Sequence, residues 1–141
     1  MNLHIMYAGS INASKEVLKC IVDSKMCTVK CVLTTKNSPV EKYSKSKNIM
    51  TISPDKLDES VRNTIVPLKL DLLVCFAYGK YFGPKFLSCF KYSGVNIHPS
   101  NLPRYRGPSP IQSTILSDEK FSATTLQVIS DKIDSGNIIF Q

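Results

Sequence analysis

The stretch "LDLLVCFAYG", Leu70 to Gly79, constrains this chain most. Apart from Asp71 it is almost continuously apolar. A strand with one wet face alternates apolar and polar residues. A run without alternation belongs to a strand covered on both faces, as in the middle of a parallel sheet. Parallel neighbours need long crossovers, usually helical, so the rest of the chain should alternate strand and helix. It does. "LHIMYA" (Leu3–Ala8) reads as a first strand, and "NASKEVLKCIVDS" spaces Val17, Leu18, Ile21 and Val22 as a helix with Asn12 or Ser14 at its N-cap. "TVKCVLTT" and "IMTIS" read as strands on either side of a basic loop and short helix, "KNSPVEKYSKSKN". Pro54 is expected to open the helix "DKLDESVRNTIVPL", with acids in its first turn. After the apolar run come a short helix "GPKFLSCF", a strand "GVNIH", a helix "SPIQSTILS", a strand "SATTLQVIS", a loop "DKIDSG" and a last strand "NIIFQ". The pattern is α/β: a Rossmann-like, open, mostly parallel sheet with helices on both faces.

The length of 141 residues suits one domain, 1–141, with no internal repeat. A hydrophobic share of 43% against 21% charged residues makes it a soluble globular chain. The net charge of +7 favours an anionic partner such as nucleic acid, or else reflects a lysine-rich composition with no such partner. The five cysteines contain no CxxC, and the two histidines, His4 and His98, lie far apart. No metal site is expected; reduced thiols suit the cytoplasm. The N-terminus lacks a signal-peptide pattern and no run reaches membrane-spanning length, so no membrane association is expected. The chain stops inside an apolar stretch and reads as a domain incomplete at its C-terminus.

In open α/β sheets ligands collect beyond the carboxyl ends of the strands. Three segments should end there: "CFAYG", "VNIHPS" and "SDKIDSG". GxGxxG and GxxxxGK[ST] are both absent, which removes dinucleotide and ATP sites of those kinds. Asn96 and His98, at i and i+2, share one face of a strand, while Val95 and Ile97 take the other. An amide donor beside an imidazole suits a developing oxyanion. Two hydrogen-bonded polar residues at a strand end are the other reading of the same pair. A carboxylate of Asp131 or Asp134 could orient His98; the alternative is an Asx turn before Gly136. No GxSxG elbow occurs, and no cysteine neighbours a histidine in sequence. Asn, His and Asp without an enzyme nucleophile point to direct transfer, with the substrate supplying the attacking group.

"NIHPSNLPRYRG" followed by "DKIDSGNII" resembles the folate-dependent formyltransferases, which share an Asn-x-His strand, an SLLPxxRG-like loop and a downstream DxG. "AYG" and "RYRGPSPIQ" resemble the members that formylate methionyl-tRNA in particular. The likeness runs from the first strand to "NIIFQ". It implies the formyltransferase fold, catalytic roles for Asn96, His98 and Asp134, and 10-formyltetrahydrofolate as donor. It further implies folate contacts from Ala77, Tyr78 and Gly79, from Ser100, Asn101, Leu102 and Pro103, and from Ser130, Asp131, Lys132 and Ile133. Arg104, Arg106 and Gly107 would meet the acceptor, initiator methionyl-tRNA, in translation initiation.

Three departures accompany the likeness. Asn101 stands where the loop usually has Leu, "GSINAS" follows the first strand, and the basic insertion after the second strand is short. The tRNA-binding domain that usually follows is absent from these 141 residues. tRNA binding through lysines such as Lys42, Lys45 and Lys47 is therefore expected to be weak and salt-dependent. Ile138, Ile139 and Phe140 are expected to be uncovered and to favour self-association. Two other readings stay open: a related enzyme acting on glycinamide ribonucleotide or an amino sugar, and an inactive folate-binding fragment.

Overall fold

The computed structural model describes residues 2–141, in two compact units, Met1–Gly94 and Val95–Gln141. In the first unit, β1 (Leu3–Ala8), β2 (Cys27–Leu33), β3 (Met50–Ile52) and β4 (Leu72–Cys75) pair in the order β3-β2-β1-β4, all parallel. α1 (Asn12–Ser24), α2 (Pro39–Ser46) and α3 (Glu59–Ile65) with a 3-10 turn (Val66–Leu68) make the crossovers, and α4 (Pro84–Leu87) follows β4. β1 has a partner strand on each side, and Ile5, Met6, Tyr7 and Ala8 are buried in succession. That unbroken burial is what a covered parallel strand requires. The apolar run from Leu70 to Gly79 is strand only over Leu72–Cys75.

Helical spacing sends Leu18 of α1 into a core with Tyr7, Val32 and Val40, and Val17, Ile21 and Val22 pack around it. The expected caps of α1 are not used. Its N-cap is Ile11, with no side-chain cap bond. Ser14 instead donates its hydroxyl to the Phe76 carbonyl at 2.7 Å, while Tyr7 Oη donates to the Ser14 carbonyl at 2.7 Å. These two bonds tie the first turn of α1 to β1 and to the chain leaving β4. They also explain Gly9, because a Cβ there would lie 2.7 Å from both the Phe76 carbonyl oxygen and the Ser14 Cβ. Burial holds the Tyr7 phenol well above its ordinary range.

α2 carries a local cap. Ser38 Oγ accepts from Glu41 N at 3.0 Å, and Glu41 reaches back to accept from Asn37 N at 2.6 Å. α3 corrects the expectation for Pro54. The helix starts at Glu59, because Asp58 is the residue whose carboxylate accepts from a first-turn amide, Val61 N at 3.3 Å.

β5 (Gly94–His98) leads into the second unit, followed by α5 (Pro110–Leu116), β6 (Thr125–Val128) and β7 (Ile138–Phe140). Here the pairing is antiparallel, β5 with β6 and β6 with β7. The class is the expected one, a Rossmann-like α/β fold with a mostly parallel sheet. On β6 the buried side chains are Thr125 and Gln127, while Leu126 and Val128 are half-buried. Ile138, Ile139 and Phe140 of β7 are all exposed, as expected. Among the described residues, no helix is long and apolar enough to cross a membrane.

The core placement has a chemical consequence at the thiols. Cys31 on β2 is fully buried, and desolvation pushes its thiol up to about 12, whereas Cys20 on α1 is exposed. In the native chain at neutral pH, Cys20 should react with an aromatic disulfide reagent while Cys31 stays protected until denaturant is added. Equal labelling rates in mass-resolved kinetics would contradict the burial of β2.

Candidate active site

The second unit gathers its polar residues through strand register. In the antiparallel ladder Asn96 lies opposite Gln127 and His98 opposite Thr125. Directly opposed residues point to the same face, so four polar side chains share one side of β5 and β6. Asn96 is half-buried; His98, Thr125 and Gln127 are buried.

The loop after β6 brings Asp134 to this face. Its backbone is left-handed, with φ of 49°, a conformation that Asp tolerates better than most residues. Gly136 sets the approach. A Cβ there would lie 1.7 Å from the Val128 carbonyl oxygen, so the loop folds this closely onto the end of β6 only with glycine. Val128 N donates to the Asn137 carbonyl at 2.9 Å and seals the return.

Asp134 is the hub. Its side chain is only 9% exposed. Oδ2 accepts from Gly107 N at 2.8 Å and lies 3.5 Å from His98 Nδ1. Oδ1 accepts from Gln127 Nε2 at 2.9 Å and from Asn96 Nδ2 at 3.4 Å. Gathered N–H donors offset the cost of taking a carboxylate out of water.

His98 is held from both sides. Its Nε2 is 2.8 Å from the Tyr105 carbonyl. A carbonyl only accepts, so Nε2 carries the proton, and Nδ1 is the nitrogen left facing Asp134. Tyr105 turns its carbonyl inward from a left-handed backbone, with φ of 57°. Ser100 steadies that loop: its hydroxyl reaches the Arg104 carbonyl at 2.7 Å and the Tyr105 carbonyl at 3.4 Å. Thr125 anchors the same loop by donating to the Ser100 carbonyl at 2.7 Å and accepting from Leu102 N at 3.4 Å. The Leu102–Pro103 peptide is cis.

The other residues singled out in the sequence fall as follows. Leu102 is buried; Asn101, Pro103, Asp131, Lys132 and Ile133 are exposed. Ser130 is half-buried and its hydroxyl donates to the Lys132 carbonyl. Arg104 is paired with Glu119, which also accepts from Tyr105 Oη at 2.8 Å, and Arg106 is exposed. Gly107, read as an acceptor contact, gives its amide to Asp134.

In the first unit, Tyr78 is buried and stacks on Phe82, which stacks in turn on Phe86. Burial pushes its phenol up to about 12, with the charge of Cys75 a smaller cause. Its two neighbours, Ala77 and Gly79, are exposed and both left-handed, with φ of 52° and 83°. The side chain of this segment is therefore committed to packing, and what it offers outward is backbone.

Sequence reasoning missed Gln127, Thr125 and the Tyr105 carbonyl. The first two had a signal. Thr125 and Gln127 are polar at i and i+2 on a strand, the same pattern that drew attention to Asn96 and His98. The Tyr105 carbonyl had none, because a backbone acceptor has no residue type.

Residues 3–141 match the family described as formyl transferase. A methionyl-tRNA formyltransferase of Treponema denticola is 47% identical over 95 residues, covering 67% of this chain and 30% of that protein. Another, of Borrelia recurrentis, is 38% identical over 150 residues, covering 99% of this chain and 48% of that protein. The chain thus spans about half the length or less of these curated relatives. A phosphoribosylglycinamide formyltransferase structure from Bacillus halodurans superposes with a TM-score of 0.86 at 23% identity, over 97% of this chain and 77% of that one. At that identity the superposition shows a shared fold.

Replacing Gly136 with Ala should cost about 2–3 kcal/mol of stability, since a backbone carbonyl occupies the space the methyl needs. An unchanged midpoint in denaturant unfolding would mean that the loop does not press against Val128.

Proposed function

The chain belongs to the formyl transferase family, and on that premise we propose that it transfers a formyl group from 10-formyltetrahydrofolate to the amino group of methionyl-tRNA. The observation that carries the reading is the convergence of Asn96, His98 and Asp134 on one face of the second unit. The donor set fits a formyl carbonyl. Asn96 Nδ2 has two hydrogens and uses one on Asp134, and His98 Nδ1 lies 3.5 Å from Asp134 Oδ2, a long contact that a ligand oxygen could share.

The folate co-substrate supplies an activated formyl group on nitrogen. Asn96 donates its second amide hydrogen to the formyl oxygen, on which negative charge grows as the amine attacks the carbon. Protonated His98 donates from Nδ1 to the same oxygen, while Tyr105 keeps the ring from rotating through Nε2. Asp134 stabilises the imidazolium and accepts the proton that the amine loses, directly or through water. The new bond joins the amine nitrogen to the formyl carbon, the bond from that carbon to the folate nitrogen breaks, and the folate nitrogen takes up a proton.

Ser100 to Pro103 and Ser130 to Ile133 are assigned to folate contact, and Ala77 to Gly79 likewise by family resemblance. Arg104, with Glu119 beside it, has its charge offset, which leaves Arg106 as the better cation for an acceptor phosphate. Lys45 is paired with Glu41, so Lys42 and Lys47 are the stronger candidates for loose phosphate contacts. The whole-length relatives named for methionyl-tRNA favour that acceptor over glycinamide ribonucleotide, whose enzymes share the fold.

Formyl transfer by the 141-residue chain should be assayed with both acceptors. Transfer to methionyl-tRNA is expected; transfer only to glycinamide ribonucleotide would replace the acceptor, and folate binding with no transfer would leave a binding fragment. His98→Ala and Asp134→Ala should each lower kcat by about 100-fold or more while changing folate Kd by less than about threefold. Equal losses in binding and rate would reduce both residues to structural roles.

A further inference from the structure

We propose that Gln127 is the positioning residue of this site, whose side-chain amide fixes the Asp134 carboxylate in the orientation that faces His98. The role in turnover rests on the formyl-transfer reading; the role in geometry does not.

Gln127 is 2% exposed, on the buried face of β6, directly opposite Asn96. Its Nε2 makes the shorter of the two bonds to Asp134 Oδ1, 2.9 Å against 3.4 Å from Asn96. The Gly107 amide holds the other oxygen at 2.8 Å. A carboxylate gripped at both oxygens has its plane set, and that plane decides where Oδ2 meets His98 Nδ1. With Gln127 making the shorter bond to Oδ1, Asn96 makes only the long one and keeps its second amide hydrogen for a ligand.

The amide also carries a cost. Gln127 Oε1 is buried and has no hydrogen-bond partner. Leaving a buried acceptor unpaired is unfavourable, and the bond from Nε2 to Asp134 is what offsets that cost. A residue kept only for packing would not be an amide here. Local rules of this kind are broken chiefly at functional sites.

The test uses Gln127→Met, of similar length and without a donor, and Gln127→Glu, of the same shape but with a negative charge against Asp134. In the 141-residue chain, Gln127→Met should lower kcat about tenfold, leave the KM for the folate donor within about twofold, and lower Tm modestly, because Asp134 loses its shorter bond at Oδ1. Gln127→Glu should lower kcat further. A wild-type kcat in Gln127→Met would overturn the proposal, and so would a rise in the folate KM as large as the fall in kcat, which marks a general disturbance of the site. Crystal structures of the two variants provide a readout that does not need turnover. The Asp134 carboxylate should rotate away from its 3.5 Å approach to His98; a carboxylate that stays put in Gln127→Met overturns the proposal. If the wild-type chain transfers formyl to neither acceptor, the transfer reading fails while the crystallographic comparison still decides the role of Gln127.

Discussion

One carboxylate organises the second unit. Asp134 sits in a left-handed backbone, nearly buried, within reach of donors from β5, from the loop after it and from β6. A charge so placed is costly unless N–H groups surround it, and here they come from residues far apart in sequence. Withdraw the carboxylate and Gly107 N, Gln127 Nε2 and His98 Nδ1 all lose the group they face. The strain at Asp134 and the tight passage at Gly136 are the conformational costs of bringing it there.

β6 shows how such a site is built without loops doing all the positioning. Its alternation is Thr-Leu-Gln-Val, and hydrophobicity alone would turn Leu126 and Val128 inward. The structure does the opposite and buries Thr125 and Gln127. Pairing explains the choice. In register with β5, the polar pair meets Asn96 and His98, where Thr125 bonds the Ser100–Leu102 loop and Gln127 bonds Asp134. A one-residue slip would send every one of these groups to the other face.

The first unit follows the commoner logic of apolar cover. β1 is buried between β2 and β4, and Tyr7, Leu18, Val32 and Val40 share one core. The polar exceptions, Tyr7 Oη and Ser14 Oγ, spend their bonds on backbone carbonyls and join helix to sheet. The aromatic column from Tyr78 to Phe90 does for α4 what periodic aliphatic residues do for α1, with rings 5.5–5.7 Å apart at every fourth residue.

By itself the sequence determined the α/β class, because an unbroken apolar run and alternating helical and strand periods leave few other solutions. It also determined that Asn96 and His98 share a face, since strand geometry has a period of two. It located α2, where Ser38 and Glu41 form a local cap, but misplaced the start of α3, which Asp58 caps four residues after Pro54. The tertiary structure alone decided the rest. Loop chemistry left Asp131 and Asp134 level and only the family resemblance favoured Asp134; it meets His98 because the loop turns at a left-handed residue and packs on Val128 through Gly136. Arg104 spends its charge on Glu119, and Gly107 gives its amide to Asp134. Gln127 is the inward residue of β6, because burial of a face is fixed by what lies across the ladder. Local periodicity is written in neighbouring residues, whereas hydrogen-bond partners 27 or 38 positions away are chosen only when the chain has closed on itself.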